Sequence, residues 1–240
     1  MSREYVIEGG GLAQLILADR LRSEGNEVLL LVPETYLGRE ICSPGRYLLT
    51  GQDLPLTGSQ EEKIWKEWTP FEVWQEPGQL HPDRFKRCLE DWCGQKGIRY
   101  FYQVKLLSVK RTKEKGDGGS IKPLRIEGCA KCGHPVFFAD AFVPAAPDRE
   151  ERNTAALPLT QETEGNFRAR ILYVAVKKEE EGTKVSFLER AAKAVMEAYA
   201  KCKRENPSLR PGRFAGDGFD RFCPLWETVK KELSALEKLS

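Results

Sequence analysis

The segment YVIEGGGLAQLILADRLRSEGNEVLLLV, residues 5–32, constrains the fold more than any other stretch. Tyr5 to Glu8 reads as a short buried strand, and Gly9, Gly10 and Gly11 read as a tight turn. From Leu12 to Ser23, the residues Leu12, Leu15, Ile16, Leu21 and several alanines make a helix, with Gly25 as its C-cap. Val28 to Val32 is an unbroken apolar run of strand length, as a parallel strand covered on both faces requires. Adjacent parallel strands joined by a helix form a right-handed βαβ unit. At such a turn the backbone NH groups of the helix start point toward an anion, and glycines let a pyrophosphate come close. The alternative is a tight βα turn with no ligand.

Composition excludes more than it assigns. The chain has 240 residues, 40% of them hydrophobic, enough for one large domain or a domain with a modest appendage. Thirty-eight basic and 36 acidic residues leave +2, with the signs interspersed as in KEWTPFEVWQE, so neither nucleic acid nor a membrane surface is expected as a partner. No run reaches the length of a membrane span, and the apolar start holds a glutamate and three glycines, unlike a signal peptide. Seven cysteines, an odd number without a secretion signal, point to free thiols in a reducing cytoplasm.

Residues 36–58 carry enough glycine and proline for a structured loop. SQEEKIWKEW, residues 59–68, offers a serine cap and an apolar face of Ile64, Trp65 and Trp68. In LHPDRFKRCLEDWC a helix starts at Pro82, and Phe85, Cys88, Leu89 and Trp92 fall on one face. IRYFYQVKLLSVKR predicts one strand or a pair, KEKGDGGS a polar loop, and LRIEGCAKCGHPVFFADAFVPAA a hairpin feeding a buried strand. Residues 147–165 are polar and irregular and read as a linker. FRARILYVAVKK is a further strand, and VSFLERAAKAVMEAYAKCKRE a helix. The breaker NPSLRPGRF precedes AGDGFDRFCPLW and a closing amphipathic helix through Leu239.

YVIEGGGLAQ, GNEVLLLVPE and YLGREIC resemble, in that order, the opening of FAD-dependent oxidoreductases of the glutathione-reductase-like class. These members carry a GGGxAG turn, a second strand ending in an acid, and a leucine-glycine-glycine stretch. LHPDRFKRCLEDWCGQKGIRYFYQVKLLSV resembles the helix and strand that follow in the family. FFADAFVPAAPD resembles its apolar strand before an alanine-threonine-glycine turn, and RFAGDGFDRF its late glycine-aspartate motif. The likeness runs loosely over residues 4–145 and returns around 212–235. It implies an α/β, Rossmann-like FAD/NAD(P)-binding fold with a parallel sheet, a β-hairpin or meander excursion and a small inserted β-plus-helix segment. Residues 1–146 and 211–240 would form the FAD/NAD(P)-binding-like domain, and 147–210 the small inserted substrate- or cap-like segment. By the same likeness Gly9, Gly10 and Gly11 face the pyrophosphate of FAD, Glu34 the adenosine ribose, and Asp217, with Gly216, the ribityl chain. Leu12, Ala13 and Arg39 complete the cofactor-binding set.

The departures from that pattern bear on the cofactor itself. Gln14 stands where the third glycine belongs, and Val32, 23 residues after Gly9, where the ribose-binding acid belongs. Glu34 lies on the same face of an extended chain but is displaced by about 7 Å. Arg39 replaces the second glycine of the leucine-glycine-glycine stretch, and AAPD lacks the glycine of the later turn. The expectation is a relative that binds FAD differently or has lost it. A flavin also needs its reactive ring enclosed beside a small-molecule substrate, and the short insertion leaves little for that. Another protein subunit, or a second copy of the chain, is the expected partner.

CAKCGHP at 129–135 is a Cys-x-x-Cys-Gly turn, but zinc wants four ligands and no second pair at matching spacing exists. No metal is expected; Cys129, Cys132 and His134 are the residues that would meet one, and a redox pair or a plain thiol-bearing turn are the other readings. Cys42 follows YLGRE without a spacing partner, and His81 flanks a helix start. There is no Gly-x-Ser-x-Gly elbow, metalloprotease helix or phosphate loop with lysine, which removes hydrolases and kinases. The tryptophans between 65 and 92 read as core or subunit interface. Two functions stand: an FAD-dependent oxidoreductase or its FAD-associated subunit, and a flavoprotein-like subunit without cofactor that supports or regulates a catalytic chain. The first needs the pyrophosphate groove open; the second allows Gln14 to fill it.

Overall fold

A computed structural model describes residues 2–43, 46–112, 123–145, 154–163, 166–176, 187–211, 215–219 and 225–239. The chain begins with β1 (Glu4–Glu8), α1 (Leu12–Ser23), β2 (Glu27–Val32) and the short α2 (Arg39–Cys42). It continues through α3 (Gln60–Trp68), β3 (Trp74–Glu76), β4 (Gln79–Leu80), α4 (Pro82–Lys96) and β5 (Arg99–Tyr102). Next come β6 (Lys105–Arg111), β7 (Leu124–Cys129), β8 (Val136–Ala139) and β9 (Ala141–Val143). The last elements are β10 (Thr154–Thr163), β11 (Asn166–Ala175), α5 (Phe187–Glu205), β12 (Leu209–Pro211), β13 (Ala215–Phe219) and α6 (Leu225–Glu237).

The α/β class with a parallel sheet is what the chain adopts. β1 pairs in parallel with β2 and β9, and β2 with β5, so the sheet order is β5-β2-β1-β9. In order of appearance the strands run third, second, first, fourth. The order in which strands are added therefore reverses between β1 and β9, and sheets of this order take dinucleotides beside the carboxyl ends at that switch point. Ile7, Leu30 and Val143 are fully buried in it.

Helix α1 is buried on most of its surface: Leu12, Ala13, Leu15, Ile16 and Ala18 have no exposed surface, and Gln14 and Asp19 are buried with them. Sheet on one side and α6 on the other explain this, since α6 lies against α1. The helix ends as expected, at Gly25 (φ +85°), with Gly25 NH on Arg22 O and Asn26 NH on Leu21 O. These are the two bonds of the left-handed C-terminal stop that glycine favours. Helix α3 starts where the serine was expected to cap it, Ser59 Oγ accepting from Glu62 NH at 3.1 Å. Pro82 opens α4. The tryptophans serve the core: Trp68 meets Trp92 edge-on at 5.4 Å, and Trp65 meets Trp226 of α6 at 5.8 Å.

The hairpin feeding a buried strand is present as β7–β8, after which Asp140 turns the chain into β9 of the parallel sheet. Asp140 holds that corner: its NH donates to Glu4 O at 2.9 Å and its carboxylate accepts Glu4 NH at 2.8 Å. IRYFYQVKLLSVKR resolves into a pair of strands, β5 and β6, parted at Gln103 (φ +59°). Among the described residues Gln103 alone adopts a positive φ without being glycine. A side chain there costs about 1 kcal/mol. Gln103→Gly is expected to raise the unfolding free energy by up to about 1 kcal/mol, read from the urea midpoint.

Residues 147–165, read as a linker, contain instead the ten-residue strand β10, antiparallel to β11 over its whole length. Strands β12 and β13 also pair with β10, and α5 packs on this second sheet, burying Leu157, Leu159, Ala191 and Val195. Isolated TAALPLTQET lacks a β-branched run and carries Pro158; its partners make it a strand. Gly216 and Asp217 lie in β13, so their backbone belongs to the antiparallel sheet, while α6 after it returns to α1. Among the described residues no helix is long and apolar enough to cross a membrane.

Candidate functional site

The glycine turn stands at the carboxyl end of β1, where the fold would present it to a ligand. Gly9 takes φ +109°, open to glycine alone without strain, and its NH donates to Leu31 O at 2.8 Å. Gly10 is pressed from the protein side: a Cβ there would lie 2.7 Å from Val32 Cγ1 and 3.1 Å from Leu37 Cδ2. Val32, at the position expected to hold an acid, is a packing residue with no exposed surface.

The loop after β2 folds back across this turn. Gly38 NH donates to Gly10 O at 2.7 Å, from a left-handed conformation (φ +72°). A Cβ on Gly38 would come within 2.7 Å of Leu89 Cδ1, so α4 presses the loop down from above. The next turn, α2, then places Glu40 over the start of α1. Glu40 Oε2 accepts the NH of Leu12 at 2.8 Å. Gly11, the residue that begins the helix, offers no side-chain cap, and the Glu40 carboxyl takes that place.

Gln14 closes the same space from the helix side. Its Nε2 donates to Glu232 Oε1 of α6 at 2.8 Å, and the residue is only 2% exposed. A Cβ on Gly11 would collide with the Glu40 carboxyl and lie 2.6 Å from Gln14 Oε1. The close approach that glycine permits at position 11 thus serves two side chains of the chain itself. Burial, then the Glu232 carboxylate, push the Glu40 carboxyl up from 4.5 to about 8, against the smaller opposing pulls of Arg39 and the Leu12 NH. The residue as a whole is half-buried, yet Oε1 is shut off from solvent.

Two further carboxylates occupy backbone NH groups nearby in the fold. Glu8 Oε2, at the end of β1, accepts Ala145 NH at 3.2 Å, across the reversal between β1 and β9. Asp53 Oδ1 accepts Leu225 NH, the first of α6, at 3.0 Å, and Oδ2 accepts Thr50 NH at 2.9 Å. Asp53 is paired with Arg46, and both are buried. The starts of α1 and α6 and the strand end after β9 are therefore each satisfied by an internal carboxylate.

This donor set does not fit a dinucleotide pyrophosphate. A phosphate at the Leu12 NH would have to displace Glu40, and Gln14 would have to leave the space beside Gly11. Of the residues assigned from the sequence, Gly9, Gly10, Gly11, Leu12 and Ala13 come together with Arg39 at this turn, Ala13 fully buried in the core. Glu34 sits beyond β2, half-buried, its carbonyl accepting Gln103 NH at 3.1 Å. Gly216 and Asp217 belong to the second sheet. Cys42 is buried against Tyr47, and burial pushes its thiol up to about 12.

In the β7–β8 hairpin, Ala130 and Gly133 exchange both backbone bonds. Its register sets Cys129 opposite His134 and leaves Cys132 in the exposed two-residue tip. Among the described residues no group of three or more His, Cys, Asp or Glu side chains is placed to hold a metal ion. Glu40, Glu232, Glu8 and Asp53 are residues that sequence reasoning missed. Glu40 and Leu12 are 28 positions apart, and Gln14 and Glu232 are 218 apart, beyond any local spacing. The one available signal was Gln14 itself, a polar residue where the helix packs against glycine.

No protein-family model and no curated protein sequence matches the chain. Among solved structures it is similar to CabE, an aromatic hydroxylase from angucycline biosynthesis, at 12% identity and TM-score 0.48, covering 91% of this chain and 52% of that one. It is similar to BexE, studied for oxidation during BE-7585A biosynthesis, at 16% identity and TM-score 0.44, covering 89% and 52%. It is also similar to the bacillithiol disulfide reductase Bdr from Bacillus cereus, at 14% identity and TM-score 0.40, covering 64% and 44%. The chain spans about half the length of the first two.

Proposed function

We propose that this chain is a flavoprotein-like subunit that does without the dinucleotide and acts as a structural or regulatory partner of a catalytic chain. One observation carries the reading: the Glu40 carboxyl sits on the Leu12 NH, where a pyrophosphate would bind. Gln14, bonded to Glu232, fills what remains of the space beside Gly11. Helix α1, the sheet and α6 share one continuous cluster of buried apolar side chains.

Purified chain is expected to be colourless, with no visible flavin absorbance, and to leave added FAD fluorescence unquenched at neutral pH. Copurification of a flavin near one per chain would overturn the reading. It would support the second one, an FAD-dependent oxidoreductase or its FAD-associated subunit. The strand order and the intact Gly9–Gly11 turn favour that alternative. Pull-down of an oxidoreductase chain from the native source supports the partner role.

A further inference from the structure

Gln14 Oε1 and Glu40 Oε1 converge on the space that the missing Gly11 side chain leaves. Both are acceptors in their usual forms, both are shut off from solvent, and among the described residues neither has a hydrogen-bond donor. The orientation of the Gln14 carboxamide is set by Glu232, a carboxylate that accepts from Nε2, so Oε1 must face the Glu40 side. Two buried acceptors side by side are stable only with a hydrogen between them. We propose that Glu40 is a proton latch on the glycine turn: as the neutral acid it donates from Oε1 to Gln14 Oε1 while Oε2 accepts the Leu12 NH, and loss of that proton to solvent releases the carboxyl from the turn. This rests on the reading of the turn as filled by the chain's own side chains, and adds how that filling is controlled.

The surroundings favour the neutral form. Glu232 approaches from α6 and raises the carboxyl, and Arg39 on the same short helix opposes it. Cys42, on the same short helix, also feels Glu40, with Lys86 and Asp83 of α4 beyond it. From α1 come the Leu12 NH and Gln14. When the proton leaves, two carboxylates flank Gln14 and two bare oxygens face each other. The carboxylate then moves to water, and the freed NH at the start of α1 becomes a site for an anion of the phosphate class.

The test is amide hydrogen exchange of residues 9–15 in the full chain, wild type against Glu40→Gln, from pH 6.5 to 9.5, corrected for the intrinsic rate. A glutamine at 40 donates to Gln14 Oε1 and accepts the Leu12 NH at every pH. Expected is a fall in wild-type protection that approaches tenfold per pH unit from pH 6.5 to about 8 and levels off above it, and a flat profile in the variant. Parallel profiles, or a flat wild type, overturn the latch. Carbon-13 titration of the glutamate carboxyls of the wild type decides independently of how the variant folds. A carboxyl titrating near 8 supports the latch, and titration of all glutamates within the ordinary carboxylate range overturns it. Both measurements use the chain without added nucleotide, so flavin binding at neutral pH would count against the proposed function and leave this result intact.

Discussion

Replacing Asp53 by alanine is expected to cost about 3–5 kcal/mol of unfolding free energy, because it takes the paired carboxylate away from the buried guanidinium of Arg46. Arg46 is 5% exposed and Asp53 6%, so neither finds water in compensation. The carboxylate also accepts Leu225 NH at the start of α6 and Thr50 NH, so its loss uncaps a helix as well. Burial pushes the Asp53 carboxyl up, but the Thr50 and Leu225 NH groups and the Arg46 guanidinium outweigh it and hold the group below its ordinary 3.8. The stabilisation is therefore complete above about pH 4 and is lost as pH falls through the lower folded value. Removing both partners, as in Arg46→Met with Asp53→Leu, is expected to cost less than Asp53→Ala alone, since no buried charge is left over. Urea midpoints at constant m-value measure both. A loss under about 1 kcal/mol for Asp53→Ala would show that Leu225, Trp226 and Val229 hold α6 by packing alone.

The second large effect is a dependence of stability on pH that runs against the usual carboxylate trend. Burial and Glu232 raise the Glu40 carboxyl to about 8 from an ordinary 4.5. Between those values the folded chain holds a proton that the unfolded chain releases. Stability contributed by this group is thus fully present below about pH 4.5, declines as pH rises, and is gone above about 8. The decline approaches at most about 1.4 kcal/mol per pH unit, on the order of a few kcal/mol over the window. Glu40→Gln keeps the neutral geometry and has no proton to lose. Its stability relative to wild type is expected to climb from near equality at pH 5 to an advantage of a few kcal/mol at pH 8.5. Denaturation at five pH values gives the difference directly and cancels the contributions of other carboxylates. A constant difference would show that Glu40 is ionised throughout.

The opening βαβ unit was legible because its signals are local. An apolar strand, three glycines, a helix ended by Gly25 and a second apolar strand each follow from periods of two and 3.6. Strand β10 was not legible: alone it looks polar and contains Pro158, and ten residues of pairing with β11 decide its state. The tryptophans read correctly as core candidates from their spacing, but the Trp65–Trp226 contact joins helices α3 and α6, far apart in the chain. At the candidate site, Gln14 and Val32 were visible as departures from the dinucleotide pattern. What replaced the pattern was not.

By itself the sequence determined the turn, the helix start behind it and the positions where a dinucleotide site is broken, since these depend on residue type and short spacing. Only the tertiary structure decided what occupies the turn. It brings Glu40 onto the Leu12 NH from 28 positions away and Glu232 onto Gln14 from 218 away. The order β5-β2-β1-β9 and the packing of α6 on α1 create that meeting. A buried hydrogen-bonding group must find a partner, and which one it finds depends on the folded geometry and not on distance along the chain.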